Sequence, residues 1–324
     1  MIGSELDAAG VHDEALRDAY RRCRAINAEH GRTFFLATRL LSPAQRPAVH
    51  ALYGFARRAD DVLDGFDSRS PTQRAEELQA LAAALFARLV EKRQAADDDP
   101  VVEAVVDTAR SYQLDWQLFD DFLASMRMDL TVTDYPDRAA LDRYMYGSAE
   151  VIGLQLLPVL GTVAPREEAA PYAAALGKAF QLTNFLRDID EDLTRGRIYL
   201  PADELAAHGV DREVLTWCQQ QRRTDRRLRA ALMEQHAFTR RIYTQAQRGI
   251  ALLHPRSRPC VSTALTLYSG ILDRIEEMDF AVFTQRARVS TARRLQVASV
   301  GLVRAWRARA TRSQEVRPST GTSI

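Results

Sequence analysis

Cysteine and glycine are scarce in this 324-residue chain, which holds three of the first and 15 of the second. Cys23, Cys218 and Cys260 lie far apart and form no CxxC pair. An odd set of thiols cannot all pair within one chain, so a disulfide framework is excluded and a reducing, cytoplasmic setting is expected. Long apolar runs are lacking too. No stretch approaches ~18 uncharged apolar residues, and the acidic start MIGSELDAAGVHDEALRDAY has no signal-like apolar segment, which predicts a chain neither secreted nor membrane-spanning. A formal net charge of +1 gives no global basic surface for nucleic acid, so no nucleic-acid partner is expected. No GxGxxG follows a predicted strand, the six histidines have no metal-ligand spacing, and no solenoid repeat or low-complexity linker divides the chain.

Alanine, leucine, arginine and glutamate abound instead, and apolar residues recur at three and four positions rather than at two. An all-α fold is predicted, a single helical bundle over residues 1–311 with a disordered tail over 312–324. Ser42-Pro43 and Ser70-Pro71 each pair an N-cap residue with proline at the first helical position, and the acidic turn Asp97-Asp98-Asp99-Pro100 marks a third start. Further helices are predicted near 14–30, 115–128, 139–161, 168–194, 211–250, 258–283 and 290–312.

Two segments carry chemistry. On a wheel of ~100° per residue, Val49, Leu52, Tyr53, Ala56 and Leu63 form one stripe, with Asp60 inside it and Asp64 at its edge. The two carboxylates are one turn apart, ~6 Å along the axis, which suits joint coordination of hard divalent cations. DDVLD alone reads equally as a solvated acidic helix end, but unpaired carboxylates on a core-facing stripe are costly. In the second segment Gln181, Asn184, Asp188 and Asp192 follow at steps of three and four on one helical face. Gly177 extends that face backward, and Leu182, Ile189 and Leu193 take the opposite side. A plain wet face is the alternative there. Set across a cavity, two oxygen-rich faces suit several Mg²⁺ ions that make a diphosphate a competent leaving group. Arg57 and Arg187, with Arg195 and Arg197 beyond, are available to grip phosphate oxygens.

From about Cys23 to Arg294 the chain resembles the squalene and phytoene synthase family. The motifs are Phe34-Phe35-Leu36-Ala37-Thr38, the run from Arg57 to Asp64, Tyr144-Met145-Tyr146-Gly147-Ser148-Ala149-Glu150-Val151-Ile152-Gly153, and QLTNFLRDIDEDLTRGRIYLP from Gln181 to Pro201. The resemblance implies an isoprenoid synthase bundle around a central cavity, with Asp60, Asp64, Asn184 and Asp188 as magnesium ligands, Asp192 a supporting acid, and Mn²⁺ the substitute metal. It implies substrate contacts at His30, Gly31, Arg32, Thr33, Tyr53, Arg57, Gln181 and Arg187, and a cavity tyrosine, Tyr268, beside a carbocation. Ser148 and Glu150 depart from the family, which often has valine and glycine there, and Asp190 stands where many members have glycine.

The implied activity is head-to-head condensation of two geranylgeranyl diphosphates through a cyclopropyl diphosphate to phytoene, with no NADPH. Each cation needs a dry pocket, and Phe34, Phe35, Tyr53, Tyr144, Phe180 and Phe185 are candidate lining residues, although taken singly each is explained more simply by ordinary core burial. Thr38 and His50 are expected to leave a deep channel. A thirty-carbon synthase using farnesyl diphosphate is the nearest alternative, a terpene cyclase or chain-elongating synthase another, and a non-enzymatic assembly protein a third. The segment from Arg293 to Arg312, with Leu295, Ala298, Leu302, Val303 and Trp306 at helical spacing, reads either as the last bundle helix or as a peripheral contact with the inner face of the cell membrane. Downstream carotenoid enzymes are the implied protein partners.

Overall fold

The computed structural model describes residues 2–64, 69–93 and 99–310. The side chain of Asp64, the Asp97-Asp98 part of the acidic turn and the predicted tail lie outside the described residues. The chain opens with α1 (Ile2–Ala8), α2 (Glu14–His30), α3 (Arg32–Thr38) and α4 (Arg46–Asp64). Then come α5 (Pro71–Leu89), α6 (Pro100–Tyr112), α7 (Trp116–Met128), α8 (Arg138–Met145), a π-turn (Tyr146–Glu150) and α9 (Val151–Leu160). The second half holds α10 (Arg166–Arg187), α11 (Ile189–Thr194), α12 (Ala202–Ala206), α13 (Arg212–Gln220), α14 (Arg226–Arg248), α15 (Arg258–Glu277) and α16 (Thr291–Ala310). Among the described residues the only β-type pairings are two isolated bridges, Asp134 with Ile198 and Thr162 with Leu253.

Local chemistry sets the starts. Ser70 Oγ accepts from the Gln73 amide at 3.2 Å while Gln73 Oε1 accepts from the Ser70 amide at 2.7 Å, a reciprocal capping box ahead of Pro71. Asp99 caps α6 through the Val101 amide at 2.8 Å. Ser42-Pro43 opens a 3₁₀ turn, Pro43–Gln45, that leads into α4 rather than opening the helix directly.

Four predicted helices prove to be broken. The 139–161 stretch is interrupted by the π-turn, and 211–250 divides where Arg222 takes a left-handed φ of +52° and Asp225 caps α14. The 258–283 stretch stops at Glu277 because Asp279 and Phe280 turn left-handed, at φ +51° and +59°. The 168–194 stretch breaks at Asp188, whose φ of −107° and ψ of 14° leave the helical well.

One apolar core joins α2, α4, α5, α6 and α7, with Phe55 of α4 set edge-on to Phe119 of α7 at 5.8 Å. A second joins α10, α13, α14 and α15. α10 packs against α9, α14, α15 and the π-turn. Glycine permits the closest of these contacts: a Cβ at Gly177 would lie 2.2 Å from the Ala149 carbonyl oxygen of the π-turn.

Candidate active site

Helix α4 buries two faces. Ala51, Phe55, Ala59 and Val62 enter the first core, while Val49, Leu52, Tyr53 and Ala56 border a cavity of about 280 Å³. The stripe that reads as core-facing in the sequence is therefore largely a cavity wall. Across from it, α10 contributes Ala169, Tyr172, Ala173, Leu176, Gly177, Phe180, Gln181 and Asn184, a run of about 22 Å at 1.5 Å per residue. Phe34, Ala37 and Thr38 of α3 and Cys260, Val261 and Ala264 of α15 complete much of the wall, and among the described residues no charged side chain lines it.

Polar character gathers at the Asn184 end. Asn184 Nδ2 donates to Gln181 Oε1 at 3.3 Å, and Asn184 Oδ1 is buried with no donor. A buried amide oxygen left unpaired costs roughly 1–3 kcal/mol, and a hard cation or a ligand donor would satisfy it. Asp60 lies one turn beyond Ala56 on α4, and Asp188 one turn beyond Asn184. Among the described residues no three acidic, histidine or cysteine side chains converge on one point. The feature that fits a divalent metal is instead the unpaired Asn184 amide oxygen, with the Asp188 carboxylate one turn further along the chain.

Asp188 is held by arginine. Arg187 Nε and Nη2 donate to its two oxygens at 2.7 and 2.5 Å, and Arg286 Nε lies 2.8 Å from Oδ1. Adjacent side chains on a regular helix point apart, so the backbone break at Asp188 is what lets Arg187 chelate its neighbour. The i→i−4 backbone bonds nevertheless continue through this point, from the Asp188 amide to the Asn184 carbonyl and from the Asp192 amide to the Asp188 carbonyl, each at 2.8 Å. Asp192 borders a separate small pocket with Phe185, Arg197 and Tyr199, and burial, then the Asp188 charge, push its carboxyl up to about 8.

The other predicted residues take varied positions. Tyr53 lines the cavity, 6.3 Å from the Phe34 ring, and Gln181 lines it beside Asn184. Arg57 pairs with Asp61 at 2.5 Å, one turn along α4. Gly31 is buried where a Cβ would meet Asn27 Oδ1 at 2.2 Å and the Tyr53 ring at 2.9 Å, so the chain needs glycine there. His30 and Arg32 are exposed and Thr33 is half-buried. Arg195 pairs with Glu191 at 3.1 Å, and Arg197 donates to the Asp129 carbonyl at 3.0 Å.

Tyr268 is buried one layer behind the cavity wall, its ring 4.9 Å from Phe34 and 4.4 Å from Phe180, with its hydroxyl hydrogen-bonded to Arg187. Of the six candidate lining aromatics, Phe34, Tyr53 and Phe180 line the cavity. Tyr144 and Phe185 instead stack with Tyr135 and Tyr199 in a cluster of their own, where the Tyr144 and Tyr199 hydroxyls share the Asp129 carboxylate. Phe35 packs against His50 under Arg24.

Thr38 lines the cavity as expected, but His50 stands behind Asn27, bonded to its Nδ2 at 2.9 Å. Burial, then Arg24 and Arg46, push the His50 imidazole down to about 3, so it stays neutral and accepts that bond. Arg286 was assigned no role from the sequence. It belongs to an arginine-rich segment after α15, and no local spacing ties that segment to Asp188.

An all-helical bundle enclosing an apolar cavity, with acids and amides at one end, has the architecture of the isoprenoid synthases. The chain belongs to the squalene/phytoene synthase family, whose sequence model matches residues 27–293. It is 38% identical over 301 residues to a phytoene synthase from Arthrospira platensis, covering 89% of this chain and 94% of that protein. It is 37% identical to a 15-cis-phytoene synthase from Synechocystis, covering 90% and 86%. A crystal structure of a dehydrosqualene synthase in complex with ligand superposes with a TM-score of 0.79 at 25% identity, over 93% of this chain and 99% of that one. The family uses prenyl diphosphates and is generally dependent on a divalent metal. No described helix is long and apolar enough to cross a membrane.

Proposed function

We propose that the protein condenses two geranylgeranyl diphosphates head to head to phytoene, releasing two diphosphates. The observation that carries this reading is the shape of the cavity, which follows α10 for about 22 Å from Ala169 to Asn184 with the Gln181–Asn184 amide pair at one end and a mostly apolar wall over the rest, a length suited to an extended chain of several isoprene units. The names of the cyanobacterial relatives support the same product.

Asp60, Asp64, Asn184 and Asp188 would hold Mg²⁺, which when bound supplies the charge that makes diphosphate a good leaving group. Gln181 orients Asn184, and Arg57, Arg187 and Arg286 are the cations at hand for phosphate oxygens. Tyr268 steadies Arg187 through its hydroxyl. Loss of the first diphosphate leaves an allylic cation that the second substrate's double bond attacks. Departure of a proton then closes the cyclopropane. The second ionisation opens that ring, and loss of another proton ends the reaction with no hydride donor. Phe34, Tyr53 and Phe180 present aromatic faces to these cations and exclude the water that would quench them.

A thirty-carbon synthase is the second reading, favoured by the superposition on the dehydrosqualene synthase. Incubation of pure protein and Mg²⁺ with farnesyl or geranylgeranyl diphosphate, with and without NADPH, decides between them. A forty-carbon hydrocarbon formed without NADPH is expected, and release that required NADPH would overturn the proton-loss ending.

A further inference from the structure

Of the eleven exposed large hydrophobic side chains among the described residues, five lie on one helix, α16. Trp306 is 70% exposed, Leu295 63% and Leu302 56%. On a wheel of ~100° per residue these three and Val303 form one stripe, and Arg307, Arg293 and Arg304 fill the adjoining exposed sector, with Val300 among them, between the stripe and the packed face. The helix carries five arginines and no acidic residue. Its other face is small: Ala298, Gly301 and Ala305 are buried, and a Cβ at Gly301 would lie 2.6 Å from Thr263 Oγ1 and 2.7 Å from Leu40 Cδ1. Ala298, which the sequence pattern groups with the apolar stripe, thus belongs to the packed side. Ala305 shares a cluster with Ala37, Leu41, Cys260 and Ala264, and all four of those line the cavity. One layer of small side chains therefore separates the outward apolar stripe from the cavity.

We propose that α16 seats the protein on an anionic lipid bilayer, with Leu295, Leu302, Val303 and Trp306 in the acyl boundary, the arginines at the headgroups, and the α3–α15 wall of the cavity turned towards lipid. A basic helix with an exposed apolar face binds such a surface through apolar burial plus charge. A second copy of the chain is the poorer occupant. A two-fold contact would set the arginines of one α16 against those of the other, with no acid on the helix to pair them. The anchor rests on the surface of α16 and does not depend on which hydrocarbon the site makes.

Flotation of the full chain with vesicles tests this. The protein should float with phosphatidylcholine vesicles containing phosphatidylglycerol, far less with phosphatidylcholine alone, and less as salt rises. Leu302→Glu and Trp306→Glu should each weaken flotation by roughly tenfold or more with helical circular dichroism unchanged, both side chains being more than half exposed. Arg304→Gln with Arg307→Gln should remove the preference for anionic lipid. Failure to float with either vesicle would overturn the proposal. So would concentration-dependent dimerisation in lipid-free buffer that the same two glutamate variants abolish, since the stripe would then be a contact between copies.

Discussion

Arg286, from the segment after α15, sets its Nε 2.8 Å from Asp188 Oδ1, on the carboxylate that Arg187 also holds. Its Nη1 reaches Glu191 at 3.1 Å. Because the side chain is 41% exposed, removing it costs little packing, so a loss of activity reports on the site. Arg286→Gln should lower kcat/KM for the prenyl diphosphate by about 10–100-fold with little change in melting temperature. Wild-type kcat/KM would remove Arg286 from phosphate recognition.

Asp60→Ala and Asp188→Ala should each abolish hydrocarbon formation while helical circular dichroism persists at room temperature, with a lower melting temperature for Asp188→Ala because it strips Arg187 of its bidentate partner. Chelation of divalent metal should do the same, reversed by added Mg²⁺. Near wild-type product from both variants would contradict the assignment of the oxygen-rich end.

Much of this arrangement was legible in the sequence because it depends on periodicity. Asn184 and Gln181 share a face at helical spacing, and the α4 stripe with Asp60 follows the same rule. The capping box at Ser70 needs only its own neighbours. What stayed hidden depends on tertiary contacts or on one backbone angle. The backbone departs from the helical well at Asp188, yet QLTNFLRDIDEDL contains no glycine or proline to announce it. Tyr144 and Phe185 have the composition of a cavity wall, and only their stacking with Tyr135 and Tyr199 shows them to be core. The link from Arg286 to Asp188 spans elements far apart in the chain.

The buried His50 predicts a pH dependence of stability. Its imidazole is pushed down from 6.5 to about 3, so the folded state binds fewer protons than the unfolded chain across that window. Its contribution is complete above about pH 6.5 and is lost as pH falls towards 3. Wild-type melting temperature should therefore drop between neutral pH and about pH 4, and His50→Gln, which retains an acceptor for Asn27 Nδ2, should show a shallower drop. Parallel profiles would rule His50 out as a source of acid sensitivity.

Ala173 lines the cavity three turns from Asn184, well away from the polar end. Ala173→Phe should fill the apolar reach and leave Asn184, Gln181 and Asp188 undisturbed. Turnover of geranylgeranyl diphosphate should fall by about tenfold or more while farnesyl diphosphate is less affected. Equal losses with both substrates, measured as kcat/KM, would show that this part of the cavity does not read chain length.

The central claim is that a long cavity with one polar end selects the twenty-carbon substrate for head-to-head joining. Its most direct test is competition: equimolar farnesyl and geranylgeranyl diphosphate with Mg²⁺, and mass analysis of the hydrocarbons formed. The account predicts that the forty-carbon product predominates. A predominantly thirty-carbon product would contradict it.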